Sequence, residues 1–120
     1  MPLDLPSPCV RKAARAMLYQ CDMSTGAVEA LHEGLNCVKT VRDLLYVCNM
    51  RNSLLPVGMK SEDLSEDMQT LLMEADGRIL KLVKVDFSES FSPDEWRNLR
   101  DKLAPGTEPF RFVTEKVASL

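Results

Sequence analysis

Apolar residues recur along this chain at steps of three and four, which is the period of a helix with one buried face. Ser7-Pro8 opens the first such stretch. Serine suits an N-cap, and proline suits the first helical position because its missing N–H has no partner there anyway. Val10, Ala14, Met17, Leu18 and Cys21 follow at helical spacing, with Arg11, Lys12 and Arg15 on the other side, so the pattern predicts a helix over 8–22. After Met23-Ser24-Thr25-Gly26, the residues Val28, Leu31, Leu35, Val38, Val41, Leu45 and Cys48 continue the same rhythm. They predict one long helix over 26–50, with Leu44, Val47 and Cys37 widening its apolar arc in the second half. Gly34 inside that helix points to a close crossing or a kink.

A connector over 52–60 carries Pro56 and Gly58. It is unusually apolar for a loop, with Leu54, Leu55, Val57 and Met59 close together. Ser61 or Ser65 caps the next helix, whose first turns hold Glu62, Asp63, Glu66 and Asp67, where the helix dipole favours negative charge. Leu64, Met68, Leu71, Leu72 and Ala75 form its buried stripe. Asp76-Gly77 supports either a helix continuing through Ile79, Leu82 and Val83, or a tight hairpin turn followed by the alternating Val83, Val85 and Phe87. The helix is the preferred reading, because an isolated hairpin is marginal in water. Ser92-Pro93-Asp94-Glu95 is a capping-box sequence that starts a helix through Trp96, Leu99 and Leu103, and Phe110, Val113 and Val117 mark a last short one.

The expected fold is therefore all-α: a compact bundle of about five helices around the long 26–50 helix, in one domain over 1–120 with 1–6 as a flexible tail. The alternative is α+β, with a hairpin near residues 70–87.

Composition adds few constraints. An apolar share of 45% with a net charge of −3 is an ordinary globular balance. It argues against nucleic acid as a partner, since the one basic edge, Arg11, Lys12 and Arg15, has no second cluster and no interleaved aromatics. The charge is uneven. Residues 61–76 hold Glu62, Asp63, Glu66, Asp67, Glu74 and Asp76 and no base, a pattern suited to a solvated helix face. No apolar run is long enough for a membrane span, and the N-terminus lacks the features of a secretory signal, so the expected setting is cytoplasmic or nuclear. There, Cys9, Cys21, Cys37 and Cys48 are expected as free thiols packed as small hydrophobes.

Candidate chemistry is sparse. His32, the one histidine, falls beside Glu29, Glu33 and Asn36, off the apolar stripe, and is expected to be exposed. The cysteines lack the paired spacing of a zinc site, and no phosphate-cradling or calcium-loop motif occurs, so no metal and no cofactor are expected. The reading that remains is a non-enzymatic protein–protein interaction domain: an adaptor or a small subunit of a larger intracellular complex, with one or more proteins, including hetero-oligomeric ones, as the expected partners. Its expected contact residues are Arg42, within the apolar arc of the long helix, Leu54, Leu55 and Val57 in the apolar connector, and Trp96 from the aromatic group of the C-terminal third. Two readings from other classes stand beside it: a cysteine-dependent helical enzyme or redox sensor, and a helical protein for an apolar ligand, for which the chain's seven methionines are adaptable lining.

Overall fold

The computed structural model describes residues 6–19, 25–54 and 61–120. Among these the chain is helical without strands: α1 (Pro8–Tyr19), α2 (Thr25–Asn36), α3 (Val41–Asn52), α4 (Glu66–Lys81), α5 (Pro93–Lys102) and α6 (Glu108–Ala118). A short 3-10 turn, Ser61–Asp63, precedes α4, and a π-helical turn, Leu82–Asp86, follows it. The all-α expectation holds. The α+β alternative does not, because α4 runs unbroken through Asp76-Gly77, and of the alternating residues Val83 is buried while Val85 is 61% exposed.

The long 26–50 helix is corrected. It is two helices, α2 and α3, separated by a turn over 37–40. Thr40 adopts extended backbone (φ −134°, ψ 164°), and its hydroxyl accepts a hydrogen bond from the Asp43 N–H, so a new helix is capped where periodicity predicts continuation. Thr40-x-x-Asp43 is itself a start signal. It is masked because Val38 and Val41 keep the three-and-four rhythm across the turn.

α1 lies along α2 and also touches α3; α2 packs on α4, α3 on α5, and α6 on both α4 and α5. Buried side chains from Val10 to Val113 form one continuous apolar cluster. Gly34 faces α1 and α3, where an added Cβ would make ordinary van der Waals contact, 3.5 Å from the Ala13 Cβ and 3.6 Å from Val47 and Met50. The chain is held from its first described residues: Pro6 is buried, and the Ser7 N–H donates to Asp43 Oδ1 at 2.7 Å. The expected tail residues 1–5 lie outside the described residues.

The predicted caps of α4 and α5 form, whereas the Ser7 hydroxyl is buried without a hydrogen-bond partner and does not cap α1. Ser65, rather than Ser61, caps α4 and accepts from the Met68 N–H. Ser92 and Glu95 make the reciprocal capping box of α5, Glu95 N–H to Ser92 Oγ at 3.2 Å and Ser92 N–H to Glu95 Oε1 at 2.9 Å. Between α5 and α6, Gly106 takes a left-handed φ of 88°, which favours glycine, and Thr107 then caps α6.

Cys9 and Cys37 are joined as a disulfide with Cα atoms 5.7 Å apart, tying the start of α1 to the end of α2. This departs from the expectation of four free thiols. Cys48 is free and buried, and Cys21 lies outside the described residues.

Candidate functional site

Among the described residues, the expected contact residues Arg42, Leu54 and Trp96 do not share one exposed surface. Arg42 is exposed on α3. Its place between Leu31 and Leu35 assumed an unbroken helix, and the turn at 37–40 cancels that phase relation. Leu54 is 5% exposed and Trp96 is 4% exposed, both within the core. Trp96 stacks against Phe91 with ring centroids 4.5 Å apart and meets the edge of Phe112 at 6.4 Å. Lys116 Nζ lies 5.7 Å from its ring centroid. The tryptophan thus joins α5 to α6. Leu55 and Val57 lie outside the described residues.

His32 is also corrected. It is half-buried, and its Nε2 lies 3.0 Å from the Leu71 carbonyl oxygen, so Nε2 donates and carries the proton. Nδ1 is then the acceptor, 3.0 Å from an Arg78 guanidinium nitrogen. Arg78 also donates to the His32 carbonyl at 3.3 Å and to Asn36 Oδ1. This network seams α2 to α4, and all of its ring nitrogens are used structurally.

The feature with the shape of a site is a cleft of about 370 Å³ between α4 and the α5–α6 connection. At its floor, Arg51 of α3 meets Asp76 of α4 in a two-pronged ion pair, Nε to Oδ1 at 2.6 Å and a terminal guanidinium nitrogen to Oδ2 at 3.0 Å. The Arg51 side chain is 6% exposed and that of Asp76 is 18% exposed. One wall is the α4 ridge of Leu72, Met73, Gly77 and Leu80, and the other is Gly106, Thr107 and Glu108.

The polar groups around this cleft are already engaged. Arg51 and Asp76 satisfy each other; Gln69 donates to the Leu64 carbonyl at 2.8 Å; Thr107 donates to the Ala104 carbonyl at 2.7 Å. Both oxygens of Glu108 accept from Arg111, at 3.0 and 2.8 Å. The apolar part of the lining is Leu72, Met73 and Leu80, from which an apolar group displaces only water.

Gly77 shapes its mouth. It sits inside α4, its backbone is not left-handed, and an added Cβ would meet nothing within 4 Å. Met73, one turn earlier, is 72% exposed. Sequence reasoning treated Asp76-Gly77 as a question of turn or helix, and so passed over both residues as parts of a site.

Cys48 lies at the back of the ion pair and is fully buried. Burial holds its thiol far above the ordinary value of 9.0; Asp76 raises it further, and Arg51 and Lys102 only partly oppose this. Burial disfavours the thiolate, the form in which a cysteine acts as nucleophile. A pH dependence follows. Above pH 9.0 the unfolded chain loses this proton and the native chain keeps it. The native state then binds more protons, so stability falls as pH rises. Urea unfolding of the wild type and Cys48→Ala from about pH 8 to about pH 10 should show the steeper decline in the wild type.

Among the described residues, no helix is long and apolar enough to cross a membrane, and no group of three or more histidine, cysteine or acidic side chains is placed to hold a metal ion. Compared with family models, curated proteins and solved structures, the chain matches none.

Proposed function

We propose that this chain is a non-enzymatic protein-interaction domain, an adaptor or small subunit, whose partner inserts an apolar side chain into the cleft beside Gly77. The observation that carries this is the glycine itself. Glycine inside a helix costs about 1 kcal/mol relative to alanine. Gly34 faces Ala13, Val47 and Met50 of neighbouring helices, and Gly106 lies in the α5–α6 connection with a left-handed backbone. Gly77 has neither feature: among the described residues, a Cβ there would meet no neighbouring element within 4 Å. Its missing side chain makes room for an atom group that the chain does not itself supply, between exposed Met73 and half-buried Leu80. The proposal moves the contact surface from Arg42, Leu54, Leu55, Val57 and Trp96 to the α4 ridge. The expected cytoplasmic or nuclear setting belongs to the same proposal; the Cys9–Cys37 bond weighs against it, because disulfides persist mainly in oxidising compartments.

Two substitutions separate folding from binding. Gly77→Ala should stabilise the fold by about 0.5–1 kcal/mol, read as a higher urea midpoint. Gly77→Leu should leave the helix content unchanged while filling the mouth of the cleft. In a quantified pull-down from native cells, a partner retained near one-to-one by the wild type should be lost with Gly77→Leu and Met73→Asp. A stoichiometric partner held equally by all three proteins would overturn the site, and so would a Gly77→Ala protein less stable than the wild type.

A further inference from the structure

Taking the cleft as a protein-docking site, we infer that its occupant is α4 of a second copy of this chain, packed antiparallel across the same ridge. The exposed ridge runs through Glu66, Thr70, Met73 and Gly77, at steps of four, three and four, and so stays on one face of the helix. It has a knob and a hole: Met73 stands 72% exposed, and Gly77, one turn away, leaves open space. A two-fold axis level with residue 75 sets Met73 of each copy opposite Gly77 of the other, so the same patch serves both sides of the contact. Methionine suits this role, since its flexible thioether adapts to an irregular apolar cleft. The satisfied polar lining described above accepts such a group without losing a hydrogen bond.

The charges are arranged for the same register. Asp67 lies near the start of α4 and Lys81 at its end, both exposed, and among the described residues neither is in an ion pair. In the antiparallel arrangement Asp67 of one copy lies within two residues' rise of Lys81 of the other, about 3 Å along the axis, twice over by symmetry. A parallel arrangement would stack acid on acid and base on base. The register also brings the two copies of exposed Glu74 close together near the axis, a like-charge contact that weakens the pair. This defect is specific to self-docking.

Sedimentation equilibrium, from low to high micromolar protein at low and high salt, tests the inference. The wild type should form dimers, more weakly at high salt. Lys81→Glu should weaken the dimer about tenfold through two new like-charge contacts. The Asp67→Lys/Lys81→Glu double variant should recover it, and Glu74→Gln should tighten it. Gly77→Leu, with its helix content checked by circular dichroism, should be monomeric. A wild type that is monomeric at every concentration overturns the inference, as does a dimer unaffected by Gly77→Leu and Lys81→Glu. If the wild type is monomeric and a different protein is lost with Gly77→Leu in the pull-down, self-docking fails while the docking reading stands. If that pull-down is also insensitive to Gly77→Leu, both fail.

Discussion

Asp76→Ala is expected to destabilise the protein by about 3–5 kcal/mol, among the largest losses from any single substitution. The reason is what it leaves behind. Arg51 is 5% exposed overall, its guanidinium is turned towards Asp76, and a cation cut off from both water and its partner loses most of its solvation. The reverse change, Arg51→Met, should cost less. The Asp76 side chain, at 18% exposure, borders the cleft and can be reached by water. The double variant Arg51→Met/Asp76→Leu should come back to within about 1 kcal/mol of the wild type, because a buried ion pair is roughly balanced by well-packed apolar groups of similar size. Urea unfolding of the four proteins forms a double-mutant cycle. A double variant as unstable as Asp76→Ala would show that packing around the pair, and not the stranded charge, sets the loss. Because the pair floors the cleft, the same cycle reports how far the cleft's shape depends on it.

Asp43→Ala comes next, with an expected loss of about 3 kcal/mol. Asp43 is 1% exposed, and its carboxylate oxygens take separate backbone donors: the Ser7 N–H at 2.7 Å and the Lys39 N–H at 3.1 Å. One side chain thus fixes the entry to α1 and the turn between α2 and α3. Alanine leaves two part-buried amides without an acceptor, each costing about 1–2 kcal/mol. Asp43→Asn keeps one carbonyl oxygen of the same reach and should recover part of the loss. Native-state hydrogen exchange gives a local readout, since the amides of Ser7 and Lys39 should exchange faster in Asp43→Ala, while the α5 capping box should be unaffected. Equal acceleration at both places would mean the loss is global and Asp43 is not the local anchor.

Much of the fold is legible along the chain because helix caps and amphipathic stripes are local. Ser92-Pro93-Asp94-Glu95 encloses its own hydrogen bonds within four residues, so its capping box forms as the sequence predicts. The stripe of Met68, Leu72, Ala75 and Ile79 is buried for the same reason: helical spacing puts these residues on one face wherever α4 packs. Periodicity fails where a turn happens to preserve it. Val38 and Val41 carry the apolar rhythm across the break at 37–40, and only the Thr40–Asp43 cap reveals a new helix.

The site was much less legible, because each of its parts depends on partners distant in sequence. Arg51 and Asp76 belong to different helices and become one feature only when α3 and α4 meet. His32 reads as a solvent residue from its own helix; Leu71 and Arg78 of α4 are what enclose it. Cys9 and Cys37 carry no paired motif, and the antiparallel lie of α1 on α2 is what brings them together. Gly77 is the clearest case, since whether a helical glycine is a close approach or an empty notch depends on which atoms surround it. The sequence by itself determined the helices, most of their caps and which faces turn inward, because those follow from interactions within a few residues. The tertiary structure alone decided the ion pair, the disulfide and the cleft, because those are relations between helices, and local spacing carries no information about which helices come to touch.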